Sequence, residues 1–326
     1  MKKKQQGVAL ITILVMVALA TILAATIAKR QFNTTENTDY LKRQNQSFMY
    51  AQSGEAFLQE LLVNDAENAP NVDHLNELWA KPMPVFPIDG GYVAGVLQDE
   101  SGKFNLNSLL KEDGTINESA KKWFEQLLTK VGLSPQLSEA VIDWQDLDDD
   151  VAGAMGAESA YYGHLSRPYL ASNDKFYSIE QLKQVRGFEG GNFKLIEPYI
   201  TAQPNVESKV NINTASGVLL ASLNERLDPI AIQNELDKRK QNLQFFENVE
   251  GLWSLNAFSG VDDDVKKQFS SLLGVQSDYF RAQIEIMLNG KKQQFTSYFV
   301  RNGKNVYVNY RSLAPFNTIT SNQQLN

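Results

Sequence analysis

From Val8 to Ala28 the chain runs for 21 residues without a charge, bounded by Lys2, Lys3 and Lys4 before it and by Lys29 and Arg30 after it. Coiled as a helix this run spans ~31 Å, which matches the ~30 Å hydrocarbon layer of a bilayer. It predicts a membrane helix over residues 8–28, from which everything that follows must hang. The flanking charges orient that helix only weakly by the positive-inside rule.

A secretory signal peptide would have an apolar stretch of ~7–15 residues before a small-residue cleavage site, and Thr26-Ile27-Ala28 could serve as one. The length of the run opposes that reading, and so does its continuation. Between Gln31 and Leu62 there is no Pro and one Gly, Gly54, while Leu41, Phe48, Ala51, Leu58 and Leu62 recur at spacings of seven, three, seven and four. The stripe predicts one helix from Val8 to about Leu62, ~80 Å long, with residues 29–63 projecting beyond the membrane. A cleaved signal has no reason to share a helix with the mature protein. Gly7, between the basic leader and the apolar run, stands where a type IV prepilin peptidase would cut, releasing residues 1–7 and leaving Val8 as the new N-terminus. An ordinary single-pass anchor is the simpler alternative.

Hydrophobic residues make up 43% of the 326, enough for one large or two modest domains beyond the helix. The formal charge of −7 becomes −10 without the leader's three lysines, which argues against nucleic acid as a partner because phosphates need clustered Lys and Arg. Cysteine is absent, excluding disulfides, a Cys nucleophile and thiolate-bound metal. His74 and His164 are the only histidines and have no metal-ligand spacing, so a zinc site or a His-based triad has little to build on.

Pro70, Pro82, Pro84 and Pro87 make residues 64–91 loop-like, and Tyr92 to Gln98 then alternates as a strand. Helices are expected over 117–131, over 134–144 with Ser134 as N-cap and Pro135 at the first position, over 178–185 and over 193–199. They suggest an all-helical subdomain from about Leu109 to Gln203. Pro204 opens a new section with helices near 215–223 and 229–240. Residues 280–288, 293–301 and 305–311 are β-rich and joined by Asn289-Gly290 and Asn302-Gly303, which predicts an antiparallel meander. Residues 317–326 are polar and read as a flexible tail.

Between Val131 and Ser166 there is no Lys or Arg, yet Glu139, Asp143, Asp146, Asp148, Asp149, Asp150 and Glu158 lie there. Seven carboxylates so placed repel one another unless solvent or a cation intervenes. Calcium, which takes six to eight oxygen ligands in irregular loops, is the natural candidate. Asp146, Asp148 and Asp150 have the spacing of an EF-hand start, but Val151 stands where that loop needs Gly and Glu158 comes one residue late. A solvated acidic loop is the plainer reading. A glycosidase-type carboxylate pair has no sugar cleft to serve.

The stretch Val210-Asn211-Ile212-Asn213-Thr214-Ala215-Ser216, with Gly187 and Gly190 ahead of it, suggests helix-hairpin-helix DNA binding. The Gly-x-Gly turn is missing, and residues 204–274 carry seven basic against ten acidic side chains. Asn211 and Thr214 are better read as caps of the helix near Ala215.

Leader, helix, acidic loop and VNINTAS together resemble the minor pseudopilin K (GspK) family of type II secretion over most of the chain. DWQDLDDD from Asp143, GAE at 156–158 and Tyr161-Tyr162 look like its acidic signature, and SIEQLKQVRG is similar to a later motif. The resemblance implies an α+β, pilin-like fold with a long N-terminal helix, an antiparallel β-sheet and a large all-helical inserted subdomain. The pilin domain would comprise residues 64–108 and 204–316, with the insert at 109–203. The resemblance also implies calcium in the acidic region, with Asp143, Asp146, Asp148 and Glu158 at signature positions and Asn173 as a further ligand from the following loop. The implied partners are the minor pseudopilins I and J, H through them, prepilin peptidase and the inner membrane, with no nucleic acid.

Mature pilins usually carry Glu at their fifth residue, which here is Thr12, and most begin with Phe where this chain has Val8. A carboxylate inside a membrane helix costs roughly 2.5–3.5 kcal/mol on insertion scales and needs a partner. In pilin fibres that partner is taken to be the terminal amine of the subunit ahead. A subunit lacking the Glu gives up nothing if no subunit lies ahead, and the K family shares the absence. The expectation is a non-enzymatic, inner-membrane subunit, N-methylated at Val8, that caps a periplasmic pseudopilus and supports export of folded proteins. A competence-type DNA-binding component and a membrane-anchored hydrolase are the alternatives; for the latter no nucleophile, base and oxyanion constellation is present.

Overall fold

The computed structural model describes residues 5–316 and 319, with helix but no side-chain description for residues 5–7. The first four residues of the expected leader, and residues 317, 318 and 320–326 of the expected tail, lie outside the described residues. Helix α1 runs unbroken from Gln5 to Asn68, about 96 Å at 1.5 Å per residue and a turn and a half beyond the expected end at Leu62. Its apolar window has a mean hydropathy of 2.8 and none of it is buried. The expected stripe divides by position. Leu41 and Phe48 are exposed, whereas Ala51, Leu58 and Leu62 are buried against a sheet.

That sheet has five strands in the order β1-β2-β7-β8-β9. Strands β1 (Phe86–Ile88) and β2 (Gly91–Asp99) form a short hairpin. Between β2 and its antiparallel neighbour β7 the chain makes a long excursion. It passes through β3 (Phe104–Asn105), α2 (Glu118–Lys130), α3 (Leu137–Asp143), α4 (Ser159–Gly163), α5 (Gly191–Ile196), β4 (Ile200–Thr201) and β5 (Val210–Asn211). It continues through α6 (Gly217–Ala221), α7 (Pro229–Gln241), α8 (Glu250–Trp253), α9 (Asp263–Ser270) and β6 (Leu273–Gly274). The sheet then resumes with β7 (Tyr279–Leu288), β8 (Lys291–Asn302) and β9 (Asn305–Ser312). Asp99 pairs with Phe280, so the whole excursion stands where a hairpin would have its turn.

Ala51, Leu58, Leu62, Val93, Ile284, Ile286 and Phe299 form the core between α1 and the sheet. A Cβ placed on Gly54 would sit 3.3 Å from Ile284 Cγ2 and 3.6 Å from Val93 Cγ1, so the glycine sets how closely α1 approaches. A second core runs from Phe104 to Leu273 and moves the expected insert boundary. The apolar side chains of residues 204–274 pack with the insert, because Val210, Leu219, Leu220, Phe246 and Phe269 share one apolar cluster with Phe104, Trp123 and Phe124. Trp123 Nε1 donates to Ser222 Oγ at 2.9 Å across the supposed break at Pro204. Nor is the insert purely helical, since β3 pairs with β4 and β5 with β6, each in parallel.

Two local expectations also change. Helix α3 begins at Leu137 with Gln136 at the cap position, and Ser134 bonds Gln136 Oε1 instead of a backbone amide. The β7–β8 turn is Asn289-Gly290 with both φ positive, but the β8–β9 turn is Gly303-Lys304, since Asn302 still pairs with Asn305. Only the first residue of that second turn has positive φ, so it needs Gly there and not an Asn before it.

Candidate functional site

Helix α3 delivers Asp143 at its C-terminal end, where the helix dipole is negative and disfavours a carboxylate. The chain then turns back over this end. Ala152 N donates to Asp143 Oδ1 at 3.1 Å, and Met155 N donates to Glu139 Oε2 at 2.8 Å. Gly156 leaves room for the carboxylate, as a Cβ there would fall 2.4 Å from Asp143 Oδ2. This fold-back brings Glu158, at the start of α4, to Asp143 and Asp146. Each of the three offers an oxygen within 4.8 Å of the other two.

Asp143 is fully buried and Glu158 is 3% exposed. Both oxygens of Glu158, and Asp146 Oδ1, are buried without a hydrogen-bond partner. Burial, then the charges of Asp148 and Asp143, push Asp146 up to about 7. Burial, then Asp143 and Asp146, push Glu158 up to about 7 as well. Buried polar atoms without partners are costly. A hard cation beside Asp143 removes that cost for Asp146 and Glu158 at once, so the donor set fits calcium. Asn173, expected as a further ligand, also has a buried neutral oxygen. Its backbone N bonds Trp144 O at 3.0 Å, its φ is +46°, and its Oδ1 is buried without a partner. Asp148 stands apart from the three, exposed, with Oδ1 accepting Asp150 N at 2.9 Å.

The VNINTAS stretch faces inward. Asn211 is fully buried and donates to Asp73 O and Ser277 Oγ, while Thr214 bonds Asp99. Neither residue caps α6, whose cap is Ser216, accepting from Leu219 N at 3.2 Å. Asp73, Ser277 and Asp99 lie more than sixty residues away from them, so nothing in the local sequence could reveal these contacts. At the other end of the chain, Thr12 Oγ1 donates to Val8 O at 2.6 Å, closing its hydroxyl within α1.

A helix long and apolar enough to cross a membrane that continues unbroken onto one face of an antiparallel sheet defines a pilin-type subunit. Two family models, each described as type II secretion system, protein K, match residues 102–205 and 210–276. The chain is 32% identical to the type II secretion system protein K of Pseudomonas aeruginosa, over 91% of this chain and 89% of that one. It is 30% identical to the protein of the same name from Aeromonas hydrophila, over 95% and 97%. It belongs to the type II secretion system protein K family and is a minor pseudopilin of type II secretion. Its fold is that of a chain in the crystal structure of the GspK-GspI-GspJ complex from enterotoxigenic Escherichia coli, with a TM-score of 0.77 at 24% identity, over 86% of this chain and all of that one.

Proposed function

We propose that this minor pseudopilin caps the periplasmic pseudopilus. A single pass through the inner membrane leaves its bulk in the periplasm, and it acts as a structural subunit without catalysis. Prepilin peptidase would cut after Gly7, and Val8 would become the methylated N-terminus. The solved GspK-GspI-GspJ complex supports I and J as partners, and H would join through them. The observation that carries the reading is the position of the insert. A domain of this size emerging between β2 and β7, at one end of the sheet, obstructs addition of a further pilin-type subunit beyond it.

Calcium in the acidic loop completes this reading. Asp143, Asp146 and Glu158 would hold it with Asn173 Oδ1, tying the end of α3 to the start of α4, and Asp148 would add to the negative field around it. The ion supplies charge compensation and no chemistry.

Two measurements test the assembly reading. Full-length tagged protein should co-purify from membranes with I and J together. Gly7→Leu should retain the leader and abolish secretion; normal processing of that variant would remove the cleavage claim.

A further inference from the structure

The VNINTAS contacts lead to a second buried acidic group, at the junction of α1, the pilin sheet and the insert. Arg301, on β8, reaches Asp65 Oδ2 through Nη1 at 2.9 Å and Asp73 Oδ2 through Nη2. Ser277 N donates to that same Asp73 oxygen at 2.7 Å. Glu77 Oε2 accepts from His74 N at 3.0 Å and from Trp79 Nε1 at 2.6 Å.

Beyond the oxygens in these contacts, the three carboxylates carry Asp65 Oδ1, Asp73 Oδ1 and Glu77 Oε1. Glu77 Oε1 lies 3.8 Å from His74 Nε2. Asp73 is 1% exposed, and its Oδ1 is buried with no hydrogen-bond partner. The three side chains each offer an oxygen within 4.8 Å of the other two. Arg301 brings one positive charge to three carboxylates, and a divalent ion balances the remainder. Burial, then the charges of Glu77 and Asp73, push Asp65 up despite Arg301, as expected for an undercompensated group.

We propose that Asp65, Asp73 and Glu77 form a second divalent-cation site, separate from the acidic loop, that locks the insert against α1 and the sheet. The donor set is all carboxylate, with no nitrogen or sulfur, so the ion is a hard one of the calcium type. The link to the insert is direct. Asn211 Nδ2 donates to Asp73 O at 3.0 Å and to Ser277 Oγ at 2.7 Å, and Ser277 Oγ bonds Asp99 Oδ2 at 2.6 Å. An ion here would fix both ends of the excursion from the sheet, and with them the direction in which the insert points.

The test is calcium stoichiometry on the full chain in detergent, at ~1 mM free calcium, a level suited to extracellular calcium modules. The variant Asp146→Asn with Glu158→Gln disables the acidic loop and should still bind one ion. Adding Glu77→Gln, which leaves both Arg301 pairs in place, should weaken that binding at least tenfold. Terbium gives a second reading, because Trp79 lies against Glu77. Emission excited through tryptophan should persist in the loop variant and fall with Glu77→Gln. If the folded loop variant binds neither calcium nor terbium, Asp65 and Asp73 share a proton instead and the second site is refuted. A native chain that binds a single ion, retained in full by the loop variant, would refute the loop reading alone.

Discussion

Glu55 of α1 and Arg311 of β9 form a two-pronged ion pair, with Arg311 Nε on Glu55 Oε2 and Nη2 on Oε1, both at 2.8 Å. Ser297 Oγ, beside Arg311 on the same sheet face, donates to Glu55 as well. Four residues further along α1, Gln59 Nε2 reaches Val306 O, and Asp65 reaches Arg301. This polar seam aligns the helix where the apolar contacts alone would let it slide. Arg311→Ala should cost about 1–2 kcal/mol at neutral pH, because it leaves the Glu55 carboxylate half-satisfied. Burial pushes Glu55 up, but the Arg311 and Ser297 hydrogen bonds outweigh it and hold it below 4.5. A carboxylate lowered in the folded state contributes stability above its unfolded value and loses it as pH falls through the folded one. The deficit of Arg311→Ala should therefore shrink as pH drops through 4.5 and below. A deficit that stays constant on acidification would show that the pair contributes only packing.

Elements that depend on neighbouring residues were legible in the sequence. Asn289-Gly290 specified its hairpin, Ser178 with Gln181 forms a full capping box, and Asn117 caps α2. The absence of Lys and Arg around Asp143 marked the acidic site before any geometry was known. What failed depended on partners far along the chain. Pro204 reads as a boundary, yet Trp123 bonds Ser222 across it. Asn211 and Thr214 resemble caps until Asp73 and Asp99 arrive from distant segments. The Arg301 cluster had no signal, since Asp65, Asp73 and Glu77 are unremarkable in a loop-like stretch and become a group only when β8 supplies the arginine.

Gly54 sets the distance between α1 and β7. Alanine would press its Cβ to 3.3 Å from Ile284 Cγ2, whereas leucine has no space there at all. Gly54→Leu should destabilise the pilin domain by about 2–3 kcal/mol through overpacking, although leucine favours helix. Thermal melting should register that loss. A variant as stable as the native chain would mean that α1 can lift from the sheet without cost.

Removing calcium tests the acidic loop through stability. At a free concentration of ~100 times Kd, one bound ion stabilises the folded state by about 2.7 kcal/mol. Chelation should therefore lower the melting temperature of the native chain. Asp146→Asn should lose most of this response. In chelator the same variant should melt at or above the native chain, because it relieves repulsion among Asp143, Asp146, Asp148 and Glu158. If calcium leaves the native melting point unchanged, the loop is solvated only.

Thr12 tests the tip position. Its hydroxyl hydrogen is taken by Val8 O and Ala9 O, so its donor needs no partner outside the helix. Replacing it with Glu would place a carboxylate in the apolar window at a cost of roughly 2.5–3.5 kcal/mol on insertion scales. In a subunit with another ahead of it, that subunit's terminal amine would offset the cost. At the tip there is none, so Thr12→Glu should be processed normally yet recover less protein with I and J and secrete several-fold less. Thr12→Val, which adds no polar group to the apolar run, should behave as the native chain. Full secretion and recovery with Thr12→Glu would mean that a subunit does lie ahead, and the tip assignment would be lost.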